Sequence, residues 1–250
     1  MILAVTGTST DVGKTVATAA LVARARSRGA QRIAVVKPAQ TGIAPTEPGD
    51  LAHVQRLAGP VTVVECARYP EPLAPDVAAA RAGLAPLSRD RVAAAIAEAA
   101  AAHDVTIVEG AGGVLVRLAA HGGDAGPLTI LDVAADAGAP IVVVCSPALG
   151  ALNHAELTVA AIRARGLTPA GLVVGSWPVV PDLAMRCNAD DLPRVTGVPL
   201  IGTLPEGVGA MTRDRFVESA PGWFDPNWSP TPPTDRSGGQ SRRPHEGVRS

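Results

Sequence analysis

The residues able to do chemistry in this 250-residue chain gather at four places. The first is Gly7-Thr8-Ser9-Thr10-Asp11-Val12-Gly13-Lys14-Thr15, between an apolar run and an Ala-rich stretch. A strand, a glycine loop and a helix opening on Lys-Thr form the context of a phosphate-binding loop. In such a loop the backbone N–H groups and the helix N-terminus face phosphate oxygens. Gly13 permits close approach, Lys14 reaches the β- and γ-phosphates, and Thr15 offers a hydroxyl to Mg²⁺. The strict spacing places glycine at position 8, where this chain has Thr8, and Gly7 stands one place early. A plain glycine turn ahead of a helix is the alternative.

The second place is Lys37-Pro38, at the end of an apolar run. A residue before proline is held extended, which projects Lys37 beyond the sheet edge rather than into a helix. Of the 22 basic residues, only Lys14 and Lys37 are lysine. Arginine serves everywhere else, so these two positions mark a need for a compact ammonium rather than a planar fork. The third place is Glu109, directly after the strand-like Val105–Val108 and followed by Gly110-Ala111-Gly112-Gly113. A carboxylate at a strand end suits an Mg²⁺ ligand or a water-orienting acid, and the glycines leave room for substrate. A solvated loop glutamate is the alternative. The fourth is Asp50, at a helix start, where a site residue and an N-cap are equally good explanations.

Positioning these groups falls to seven short apolar runs: Ile2–Thr6, Ile33–Val36, Val61–Glu65, Val105–Val108, Ile141–Cys145, Gly171–Val174 and Leu200–Leu204. Near-continuous apolar runs are how strands buried on both faces of a parallel sheet read. Helical stretches fall between them, at Lys14–Arg28, Asp50–Ala58, Arg89–Ala102, Ile130–Ala137, His154–Arg165 and Ala189–Val195. Ser88 is a fitting N-cap for the third, with Val92 and Ile96 on its apolar face. The alternation predicts a three-layer, doubly wound α/β fold of the P-loop NTPase type, with a mostly parallel sheet of about seven strands. Sites in such sheets lie beyond the carboxyl ends of the strands.

Composition bounds the rest. Hydrophobic residues are 47%, charged residues 18% and aromatics 2%, which predicts a globular domain with an aliphatic core. Trp223, Phe224 and Trp228 are expected to form the last packed cluster. From Ser229 the chain turns to Pro, Ser, Gly, Arg and Thr, so a catalytic domain over 1–228 and a disordered tail over 229–250 are expected. A net charge of −1 favours neither nucleic acid nor an anionic membrane as partner. Three scattered cysteines, no basic leader and no apolar run of membrane length predict a cytoplasmic protein.

Four motifs in this order resemble the dethiobiotin synthetase family over about residues 1–210. They are Gly-Thr-x-Thr-x-Val-Gly-Lys-Thr from Gly7, Lys37-Pro38-x-x-Thr41-Gly42, Val108-Glu109-Gly110-Ala111-Gly112-Gly113, and Leu149-Gly150-x-Leu152-Asn153-His154. The family shares the lengthened loop spacing. The resemblance implies that 7,8-diaminononanoate, CO₂ and ATP give dethiobiotin, ADP and phosphate, with Mg²⁺. It implies Lys37 and Lys14 as catalytic, and Thr15, Asp50 and Glu109 as Mg²⁺ ligands. Nucleotide contacts would come from Asp11, Val12, Gly13, Lys14, Thr15 and Val16, from Asp50, and from Glu109, Gly110, Ala111 and Gly112. Near the base it implies Gly175, Ser176, Thr203, Leu204 and Pro205. Thr41 would touch substrate, and Gly150, Ala151, Leu152 and Asn153 would meet the substrate carboxylate across a homodimer interface. One departure stands out: other members can carry a base-reading Asn after the strand Gly171–Val174, where this chain has Gly175-Ser176-Trp177. The amide face is absent, so the resemblance carries no base preference here. Two further readings are an amidotransferase-type synthetase of the same P-loop branch and a partitioning-type ATPase switch. The latter carries an additional early loop lysine, and Gly7 to Thr10 contain none.

Overall fold

The computed structural model describes residues 1–120 and 126–230. Its seven-stranded sheet uses the seven predicted runs. They are β1 (Ile2–Gly7), β2 (Ile33–Lys37), β4 (Thr62–Glu65), β6 (Val105–Gly113), β7 (Ile141–Cys145), β8 (Pro169–Trp177) and β9 (Leu200–Pro205). The order is β4-β2-β6-β1-β7-β8-β9, and every pairing in it is parallel. Two two-residue strands, β3 (Gln40–Thr41) and β5 (Arg68–Tyr69), pair separately at the carboxyl edge; nothing in their composition marked them. The predicted fold class is the one observed.

Both faces of the sheet are covered, as the continuous apolar runs require. Leu3, Val5, Val35 and Ile107 point into one core, while Ala4, Val36 and Val108 point into the other. The first core lies under α1 (Lys14–Ser27), α2 (Asp50–Ala58) and α8 (Arg213–Ser219). The second lies under α3 (Pro75–Arg81), α4 (Arg89–Ala102), α5 (Ile130–Asp136), α6 (Ala151–Ala164) and α7 (Leu183–Thr196). Helix α1 touches the sheet as well as α2 and α8. Its buried residues therefore run all round, and Ala17, Ala19, Ala20 and Ala23 keep the layers close. Ser88 caps α4 by accepting from the Arg91 N–H, and Val92 and Ile96 are buried, both as expected.

Several boundaries differ from the sequence reading. Strand β6 continues through the glycines to Gly113, which pairs with Gly7, so Glu109 sits inside a strand rather than after one. Helix α6 starts three residues early because Gly150 takes a left-handed φ of 94° as its N-cap. Helix α7 starts at Leu183, capped by the Asp182 carboxylate accepting from the Met185 N–H. Helices α3 and α8 are additional.

The aromatic cluster forms and also takes in Phe216, which lies edge-on to Trp223 at 5.2 Å. Phe224 stacks near Trp228, and the buried Arg24 guanidinium lies over both rings while donating to the Asp225 and Trp228 carbonyls. That clamps residues 224–228 onto α1. Residues 231–250, most of the expected tail, lie outside the described residues. Among the described residues no helix is long and apolar enough to cross a membrane.

Opposite the carboxyl edge, Asp104 ties β6 to β2. It accepts from the Gln31 and Arg32 N–H groups at 3.0 and 2.9 Å and pairs with the Arg32 guanidinium at 2.8 Å. The Arg32 backbone bond first, then its guanidinium, lowers the Asp104 pKa to about 2. A carboxyl depressed in the folded state contributes stability above its unfolded pKa and loses it as pH falls through the folded value. Acid unfolding of Asp104→Asn should therefore begin to resemble wild type only as pH drops from about 4 toward 2. Curves that differ equally at pH 7 and pH 2 would contradict this.

Candidate active site

The carboxyl ends of β1, β2 and β6 lie side by side, and each supplies one part of the predicted chemistry. Beyond β1 the loop Thr8–Gly13 turns into α1. The Thr8 N–H donates to the Val144 carbonyl of β7 at 2.9 Å, and Gly13 opens α1 with a left-handed φ of 93°. Asp11 is the sole non-glycine residue with positive φ among the described residues, at 57°. Lys14 is buried, with its Nζ donating to the Ser9 carbonyl at 2.8 Å. Burial first, and the neighbouring Lys37 charge second, bring its pKa below the ordinary lysine value. An anion arriving at the loop relieves both costs.

Lys37 is the last residue of β2, and its exposure is 3%. Its backbone pairs with Glu65 of β4, so the strand holds it and it does not project past the edge as expected. The side chain instead folds over the end of β6. Nζ meets Asp50 Oδ2 at 2.6 Å, Glu109 Oε1 at 2.7 Å and the Gly110 carbonyl at 3.1 Å. Three ammonium hydrogens thus face three acceptors. Burial works against the charge, but Glu109 and Asp50 outweigh it and hold Lys37 above its ordinary pKa. The two carboxylates thus favour the protonated ammonium.

Glu109 has no exposed surface. Its Oε1 accepts from Lys37 and from the Thr15 hydroxyl at 3.0 Å, while its buried Oε2 has no hydrogen-bond partner among the described residues. Asp50 is the first residue of α2, whose N-cap is Gly49, so its carboxylate does not cap its own helix. It turns to Lys37 instead. Burial would raise the Asp50 pKa, but Lys37 outweighs that and holds it below the usual carboxylate value. The N-cap reading of Asp50 is thereby set aside.

Asp11, Gly13, Lys14, Thr15, Val16, Lys37, Thr41, Asp50, Ala111 and Gly112 line one cleft of about 480 Å³. Glu109 and Gly110 are not part of its lining, but they bond Lys37 and Thr15, which are. Val12 is buried under the loop and does not line the cleft. Outside it stand Gly175, buried, and Ser176, exposed, at the end of β8. On β9, Thr203 is half-buried, Leu204 is fully buried in the core and Pro205 is exposed. The Leu204 side chain is therefore committed to packing, leaving only its backbone for a ligand. Gly150, Ala151, Leu152 and Asn153 form the start of α6 and do not line this cleft.

Sequence reasoning missed Gln40. It is buried in β3, lines the cleft, and its Oε1 accepts from the Asp50 N–H at 2.9 Å. Gly49 has no side chain with which to cap α2, so Gln40 does so from ten residues away and fixes the residue that carries the carboxylate. Arg68 supports the same corner. It donates to the Ala44 and Glu47 carbonyls at 3.0 and 2.7 Å and pairs with Glu65 at 2.7 Å. The available hint was that Gln40 falls within the Lys37-to-Gly42 motif.

Comparison with known proteins places this geometry among relatives. A family model described as an AAA domain matches residues 2–209. The ATP-dependent dethiobiotin synthetase BioD of Rhodococcus jostii is 56% identical over 91% of this chain and 96% of its own length. That of Saccharopolyspora erythraea is 57% identical over 84% of this chain and 89% of its own. Among solved structures, a ParA family ATPase from Chlorobium tepidum superposes with a TM-score of 0.51 at 14% identity. That match covers 88% of this chain and 96% of the other. The last likeness is one of fold alone.

Proposed function

Because this chain belongs to the ATP-dependent dethiobiotin synthetase family, we propose that it closes 7,8-diaminononanoate and CO₂ into a cyclic urea at the cleft beside Lys14 and Lys37. The protein is an ATP-dependent ligase of biotin biosynthesis; the substrates, metal, site roles and assembly are our reading. The observation that carries it is the convergence of Lys37 Nζ, Asp50, Glu109 and the Thr15 hydroxyl from four separate elements onto the phosphate loop.

One substrate amine takes up CO₂ as a carbamate. A carbamate oxygen attacks the γ-phosphorus and ADP leaves. The second amine then attacks the carbamoyl carbon, closing the ring and expelling phosphate. Each step brings anionic oxygens together, so positioning and fixed positive charge supply most of the catalysis. Lys14, short of partners and desolvated, binds the phosphate chain. Lys37, held protonated, stabilises charge on the transferring group and the carbamate. Thr41 lies at the cleft wall near Lys37, where substrate would lie. Exposed Ser176 and the Thr203-to-Pro205 backbone are the groups left near the base.

Mg²⁺ fits this donor set. Thr15, Asp50 and Glu109 offer only oxygen, and Glu109 Oε2 is a buried anionic oxygen with no partner. Among the described residues no group of three or more His, Cys, Asp or Glu is placed to hold a metal. Two carboxylates and a hydroxyl leave the remaining positions to phosphate oxygens and water, as Mg²⁺ favours. When bound it neutralises charge on the phosphates.

A homodimer completes the reading. Leu115, Leu149 and Leu157 are 65%, 88% and 62% exposed, and Leu115 and Leu157 line a groove that reaches Thr8 of the phosphate loop. Large aliphatic side chains left in water beside a site favour a covered interface. Covering it would bring the N-terminus of α6, Gly150 to Asn153, to a partner's substrate carboxylate. A monomer by sedimentation at micromolar concentration would remove this part. We place the enzyme in the cytoplasm.

Turnover tests the whole. ATP hydrolysis should require both 7,8-diaminononanoate and bicarbonate, with one ureido product per phosphate released. Running it with ATP, GTP and CTP reads base preference at the same time. Vigorous hydrolysis without the diamine would sink the assignment.

A further inference from the structure

We infer that Gly175 is the seat of the phosphate loop, a positioning residue whose lack of a side chain lets the loop backbone rest on the end of β8. The inference rests on the triphosphate reading of residues 7–15 and concerns how that loop is held.

Thr8 is tied to β7 by its bond to Val144, and Lys14 is tied back to Ser9. Between those ties, Val12 and Gly13 pass over β8. Strand β8 runs past its last pairing with β7, at Val174, and its register against β9 shifts between Val174 and Trp177. Gly175 thus lies where β8 leaves the ladder and meets the loop. A Cβ at Gly175 would overlap the Val12 carbonyl oxygen and stand 2.8 Å from Val144 Cγ1. Reciprocally, a Cβ at Gly13 would stand 2.7 Å from the Gly175 carbonyl oxygen. Each glycine vacates the space the other's backbone uses.

The reason for glycine differs at the two positions. Gly13 has a left-handed φ that favours glycine in any case. Gly175 has no positive φ, so its backbone tolerates any L-residue and only the loop excludes one. Gly175 is also buried while Ser176 is exposed, so Gly175 acts on a ligand only through the loop. The residues it would displace are Val12 and Gly13, immediately before Lys14 and the first N–H groups of α1. A shift there misaligns the phosphate contacts whatever base the nucleotide carries.

The test separates loop from base with a ligand that has no base. Binding of Mg-ATP and of inorganic tripolyphosphate is measured by calorimetry for the full-length protein and for Gly175→Ala, with thermal melting alongside. Both ligands should weaken together, by about tenfold or more, with ATP, GTP and CTP affected in equal proportion and cooperative melting kept. Unchanged tripolyphosphate binding in Gly175→Ala, or a loss confined to one nucleoside triphosphate, would overturn the inference while leaving the loop's role intact. Wild-type protein that binds neither ATP nor tripolyphosphate would instead overturn the reading of residues 7–15. If Gly175→Ala does not accumulate folded, Val144→Ala/Gly175→Ala removes the core clash and keeps the backbone one. The same outcomes then apply to it.

Discussion

Lys37→Arg should lower kcat by about a hundredfold or more while the protein still folds and binds ATP. The charge is retained, so a purely electrostatic role would forgive the change. Geometry does not. Lys37 Nζ sits 2.6, 2.7 and 3.1 Å from Asp50, Glu109 and the Gly110 carbonyl, in a pocket with 3% exposure. A tetrahedral ammonium reaches three acceptors from one point. A planar guanidinium spreads its donors over a fork and needs more volume than the end of β2 offers. It would satisfy one carboxylate and push the other away, disturbing the arrangement on which the proposed phosphoryl transfer relies. Single-turnover measurements with saturating substrates isolate the chemical step. Lys37→Met should be inactive as well, and it should lower the melting temperature, because it leaves Asp50 and the fully buried Glu109 without their shared cation. An arginine variant with wild-type kcat would show that the ammonium's shape is irrelevant, and the meaning given to the two surviving lysines would go with it.

How much of this was legible depends on the range of the physics involved. The seven strands were readable because burial on both faces writes itself as an unbroken apolar run. Lys14 and Thr15 were readable because a phosphate loop is built from neighbours in sequence. Glu109 was found but misplaced: a charge followed by glycines ends the apolar pattern, while the backbone goes on pairing to Gly113. Lys37 was likewise found but pointed the wrong way, because the rule for residues before proline fixes the backbone and says nothing of where a long side chain folds. Gln40 was not found at all. Its partner is a backbone N–H ten residues on, across a loop held by Arg68, and no local pattern reports such a bond. Gly175 was noticed only for a missing amide, since its contact with Val12 joins residues far apart in the sequence. Convergence of side chains is a property of the sheet order, which places β2, β6 and β1 together although they are far apart in sequence.

Glu109→Gln should reduce turnover by about a hundredfold or more and, more tellingly, abolish the extra stabilisation that Mg²⁺ adds to bound nucleotide. The sign follows from the charges at the site. Lys14 and Lys37 are balanced by Asp50 and Glu109, and both carboxylates meet Lys37. Neutralising Glu109 leaves two cations facing one anion. Bare triphosphate, kept metal-free with chelator, should then bind at least as well as it does to wild type. Adding Mg²⁺ should raise the melting temperature further in the wild type and no further in the variant. Glu109 Oε2, the buried oxygen without a partner, would have become an amide with nothing to coordinate. A merely structural role for Glu109 predicts a different pattern, with melting lowered by the same amount in the apo, nucleotide and Mg-nucleotide states. An intact Mg²⁺ increment in Glu109→Gln would remove Glu109 from the metal site and leave the cation to Asp50 and Thr15.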